Sequence, residues 1–126
     1  MSGGGGWWVL VEAQERTGDA WKLKRSLPVD GGRDRAIEQA AGTARTCGLH
    51  GMHSDHPETL GRRVFRLTET SWLVETRDSR WSDVHKGVYT ETAHVRVSVA
   101  ELEYARETPA AELPPEGRLR RAFGRG

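Results

Sequence analysis

The chain has 126 residues, of which 36% are hydrophobic and 29% charged, with a formal net charge of +1. That length holds one domain with tails, and the near-neutral balance excludes a global field aimed at nucleic acid or an anionic membrane. The single cysteine, Cys47, excludes an internal disulfide and makes a reducing cytoplasm the simplest compartment.

Residues 1–5 belong to a glycine run that reads as a disordered lead-in. It lacks the basic start and apolar core of a leader, and the apolar run Trp7–Val11 is too short to span a membrane, so neither is expected. WWVLVEAQ then alternates as a strand, with Trp7, Val9, Val11 and Ala13 on one side and Trp8, Leu10, Glu12 and Gln14 on the other. TGD supplies a turn, and AWKLKRSLPV is a second strand with Trp21, Leu23 and Leu27 on one face. Arg25 interrupts that apolar row and Pro28 is the expected end of the strand.

Between Gly32 and Gly48 lies the one long segment of helical periodicity. Ala36, Ile37, Ala40, Ala41, Ala44 and Cys47 share a narrow stripe, suited to close approach onto a sheet whose strands supply the bulk. Asp30 or Gly32 is the expected cap, and Gly48 the expected left-handed terminator. A loop, LHGMHSDHPETLG, leads into a second hairpin that turns at Thr68–Ser71, with Phe65, Leu67, Trp72 and Val74 facing the core. Residues 79–91 show no period and read as a loop with a short strand near Gly87–Thr90. TAHVRVSV is the clearest strand, and Ser98 with Glu101 forms a capping box for one last helical turn. Residues 108–126, rich in proline and then arginine, read as a disordered tail.

The elements run β-β-α-β-β-β. Short connections make neighbours antiparallel, so the fold class is α+β: about five antiparallel strands with one helix on one face, in a single domain over residues 6–107.

One cluster is chemically loaded. Cys47, His50, His53 and His56 recur every third residue, and thiolate and imidazole are zinc ligands. A tetrahedron closed within one short loop is cramped, however, and Cys47 also fits the helix stripe as a small hydrophobe. Adventitious divalent-metal binding by this loop is the alternative reading. Cysteine catalysis is disfavoured, because Cys47 sits at the helix C-terminus, where the dipole opposes thiolate formation. No motif for a phosphate loop or a serine nucleophile appears, so no enzyme and no cofactor are expected.

Lys22, Lys24 and Arg25 beside Trp8 and Trp21 resemble a single-strand binding surface. Residues 1–111, though, hold 15 of the 19 Lys+Arg and 16 of the 18 Asp+Glu, which weighs against nucleic acid. The segments DGGRDRAIEQAA, His56–Pro57, SWLVETR and HVRVSVAELE resemble a group of small uncharacterised actinobacterial proteins. That resemblance covers roughly residues 7–104, implies an α+β domain and brings no activity. His56 and His94 match recurring positions of the group, whereas Cys47, His50 and His53 do not. The expectation is a non-enzymatic protein-interaction module whose partner is another protein or a second copy of itself; the alternatives are a metal-binding module built on Cys47, His50, His53 and His56, and a weak nucleic-acid binder. Trp8 and Leu10, on the face no helix covers, are its expected contact residues.

Overall fold

The computed structural model describes residues 6–112; the expected disorder at 1–5 and 113–126 lies outside the described residues, and 108–112 is exposed without regular structure. The strands are β1 (Trp7–Gln14), β2 (Trp21–Val29), β3 (Gly61–Thr68), β4 (Ser71–Ser82) and β5 (Gly87–Glu101), with the helix α1 (Arg33–Thr46) between β2 and β3. All pairings are antiparallel in one sheet of order β2-β1-β5-β4-β3. The α+β class is as expected from the sequence.

Register explains the core. Val11 pairs with Val97, and Val97 with Trp72, while Ala13 pairs with Val95, and Val95 with Val74. These side chains share one face and are buried together with Val9, Ala40, Ala44 and Cys47. Each fully buried valine contributes roughly 1.5–3 kcal/mol. Ala36, Ala40 and Ala44 are fully buried and Ile37 is half-buried, so the alanine stripe does lie on the sheet. Asp34 in the first turn and Arg45 in the last suit the helix dipole.

Several assignments differ from the sequence reading. A bulge in β2 lets Val11 pair with Arg25 but Glu12 with Leu23. The extra residue, Lys24, reverses the alternation, so Trp21 and Leu23 stand on the open face and only Leu27 faces α1. Arg25 turns toward α1's side, where its Nε donates to the Gly51 carbonyl at 3.0 Å. Pro28 does not end β2; it sits within an edge strand, where a missing N–H is tolerated.

In the second hairpin, Thr68 pairs with Ser71 and Val64 with Val74. The core side of β3 therefore carries Val64 and Arg66, whereas Phe65 lies on the open face, 49% exposed, and Leu67, 53% exposed, is the extra residue of a bulge between Arg66 and Thr68. The short strand expected near Gly87–Thr90 is present as the start of β5, but the rest of 79–91 is not a loop: Asp78–Ser82 pairs with Gly87–Glu91 as a two-stranded arm beyond the reach of β1 and β3. Having no buried face, the arm shows no apolar alternation; Trp81 and Val88 pair across it in the open. The last helical turn is absent too: β5 runs to Glu101 because Trp7 and Trp8 pair with Glu101 and Ala100.

Gly48 is not left-handed. Its backbone is extended (φ −86°), and α1 ends at Cys47 instead. Glycine is needed there for space, since a Cβ would meet the Met52 carbonyl oxygen at 3.1 Å. Gly51 (φ 76°) follows His50, also at positive φ, and closes a 3-10 turn over Leu49–Gly51 that seals the end of the core against Val11.

Candidate functional site

The open face divides into an apolar end and a charged middle. At the apolar end, Trp8, Leu10 and Ala100 stand on adjacent strands, and the chain after β5 folds beside them, with the Leu102 N–H donating to the Gly6 carbonyl at 2.9 Å. With Leu102 and Tyr104 they line a cleft of about 460 Å³. Trp8 and Leu10, the expected contact residues, are thus half-buried walls of a shallow apolar depression rather than protruding side chains.

The charged middle begins one row along. Arg96 Nε lies 3.5 Å from Glu12 Oε1, near enough to pair as ions without hydrogen-bond alignment, and the guanidinium covers the Trp21 ring at 4.3 Å. In the next row Glu75 has three neighbours: the His94 ring at 3.4 Å and two cations, Arg77 at 3.8 Å and Arg63 at 3.9 Å. Sequence reading missed this band. Its signal was the even-numbered polar set Glu12, His94 and Arg96, whose neighbours Ala13, Val95 and Val97 are all core.

Compared with family models, curated proteins and solved structures, the chain matches none.

The metal-ligand candidates are not gathered. Cys47 is 2% exposed beneath Arg62, whose Nη1 lies 3.6 Å from its Sγ and donates to the Ala44 carbonyl at 3.3 Å. Burial pushes the Cys47 thiol up, against the opposing pull of Arg62. That places thiolate chemistry further out of reach. His50, held at a positive φ of 57°, turns the other way and bonds Glu91 Oε2 at 2.8 Å.

His53 and His56 remain exposed, at 3.2 Å from Asp55 and 3.7 Å from Glu58 respectively. Zinc needs all its donors at about 2.0–2.3 Å from one centre. Among the described residues no group of three or more His, Cys, Asp and Glu side chains is placed to hold a metal ion.

The His50–Glu91 pair does have a job. Arg16 Nη2 stands 3.5 Å from the same Glu91 oxygen, so a turn residue, the 3-10 turn and β5 meet at one carboxylate. The His50 hydrogen bond, helped by the Arg16 charge, holds the Glu91 carboxyl below its ordinary value, while burial opposes the shift. Among the described residues no helix is long and apolar enough to cross a membrane.

Proposed function

We propose that the domain acts by binding rather than catalysis, as a protein-interaction module that self-associates through its open sheet face. The observation that carries this reading is the cleft of Trp8, Leu10, Ala100, Leu102 and Tyr104, an apolar surface that α1, lying on the other face, leaves uncovered. The adjoining charged band favours a second copy as the occupant. It carries both signs, Glu12 and Glu75 against Arg63, Arg77 and Arg96, and a two-fold contact can set each sign opposite the other. The buried, upshifted Cys47 and the scattered histidines support the non-enzymatic side of the reading. A place in the cytoplasm and kinship with the actinobacterial proteins belong to the same proposal; the kinship brings no activity with it.

Sedimentation of the full chain at micromolar concentration tests it. A dimer is expected, lost in Leu10→Ser and in Trp8→Ser but kept in Glu38→Ser on the helix. A monomer throughout, or a dimer indifferent to Leu10→Ser, refutes it.

A further inference from the structure

The two edges of the sheet are not equivalent. On β2 the outer edge carries Pro28, the bulge at Lys24, and two lysines, features that prevent a further strand from pairing. β3 has none of these along Gly61–Arg66, and among the described residues its outer N–H and C=O groups have no backbone partner beyond β4. Beside that edge, between β3 and α1, runs a groove of about 270 Å³. Its floor is Ile37, Ala41, Val64 and Trp72, and its rim carries Arg45 and Arg66 against one acid, Glu38.

We propose that the β3 edge and this groove bind an extended peptide of another protein as a sixth strand, read by the pattern acidic, apolar, apolar, acidic. The side chains of β3 set the pattern. Arg63, Val64, Phe65 and Arg66 follow one another, and a paired strand places one residue opposite each. Opposite Val64 an apolar side chain enters the groove onto Ala41 and Ile37. Opposite Phe65, 49% exposed, an apolar or aromatic residue covers the ring on the open face.

The ends are electrostatic. Arg63 shares its carboxylate, Glu75, with Arg77 and His94, so the local charge is not neutralised. Arg66 is held in place over Trp72 at 5.2 Å by its bond to the Glu69 carbonyl at 2.8 Å, leaving its charge at the groove's end. Because the pattern reads the same in both directions, it does not depend on strand polarity. A second copy of β3 is a poor occupant. The strand carries Arg62, Arg63 and Arg66 and no acid, so self-pairing opposes arginine to arginine.

The inference rests on the interaction-module reading but not on the surface used for self-association, so the two fail separately. The probe is a random library of short linear peptides displayed for selection against the full chain. Selected peptides are expected to carry the acidic–apolar–apolar–acidic pattern without internal proline, to perturb the amide signals of Gly61–Leu67, and to weaken several-fold in high salt.

Arg63→Glu, on an exposed side chain, is expected to lower affinity at least about tenfold and to shift selection toward a basic end residue. Ala41→Gln, which fills the groove, is expected to weaken binding while Arg63 still selects its acid. An absence of selected peptides overturns the proposal. So do basic-ended or proline-centred winners, tighter binding of an oligothymidylate to the same arginines, and shifts centred on Trp8 and Leu10; the last leaves the interaction module standing.

Discussion

The two faces of the sheet are made from alternate residues of the same strands, yet they behave as different materials. Under α1, Val9, Val11, Val74, Val95 and Val97 are completely buried against alanine. On the other side their immediate neighbours Leu10, Glu75, His94 and Arg96 make ion pairs or border a cleft. The difference shows where specification resides. The covered face is fixed by volume, since alanine on the helix lets the backbone approach and valine fills what remains. The open face is ordered by charge and carries the cleft that α1 does not cover.

The largest test of that contrast places one residue type at adjacent positions. Val95→Asn buries an unpartnered amide in the centre of the core and is expected to cost roughly 3–5 kcal/mol. His94→Asn, one residue earlier and on the open face, is expected to cost less than about 1 kcal/mol. Denaturant unfolding of both variants measures the difference, and similar losses would dissolve the distinction.

A smaller effect sharpens the volume argument on α1. Ala40→Leu overpacks the helix–sheet contact and is expected to destabilise by about 1–3 kcal/mol. Gly42 has open space where a Cβ would stand, so Gly42→Ala is expected to stabilise by roughly 0.5–1 kcal/mol. Thermal melts of the pair give opposite signs if the alanine stripe is a matter of clearance.

The smallest effect concerns Glu91 at the end of the covered face. Its folded-state value lies below its ordinary 4.5, so its contribution is complete above pH 4.5 and is lost as the pH falls through the lowered value. Glu91→Gln keeps the shape but not the titration. Wild type is expected to exceed it by no more than about 1 kcal/mol at neutral pH, and the two are expected to converge in acid. Parallel curves of stability against pH would remove the His50–Glu91 pair from the account.

The helix and the core strands were legible because burial writes a period into the sequence. Ala36, Ala40 and Ala44 mark a helix face, and Ala93, Val95, Val97 and Val99 mark a strand face. Where the chain is not half-buried, the period fails. The arm at Asp78–Glu91 has two solvated faces, and so it resembled a loop. The bulge at Lys24 was also illegible, because one inserted residue moves Trp21 and Leu23 across the sheet while the apolar spacing still looks regular. For the site, Trp8 and Leu10 could be read from one strand's parity. Of the charged band only the parity of Glu12, His94 and Arg96 was visible, since its assembly needs residues from four strands brought together by register.

β5 lies between β1 and β4, although it is the last strand among the described residues. Trp7 pairs with Glu101, so the middle of the sheet joins opposite ends of the described chain. During synthesis the β1–β2 hairpin and α1 leave the ribosome well before the strand that completes the surface beneath them. Until Val95 and Val97 emerge, Val9 and Val11 lack their neighbours on that side and the inner edge of β1 is unpaired. Such long-range closure slows folding and prolongs exposure of a sticky edge. Slower translation therefore lengthens the interval in which that edge stands open.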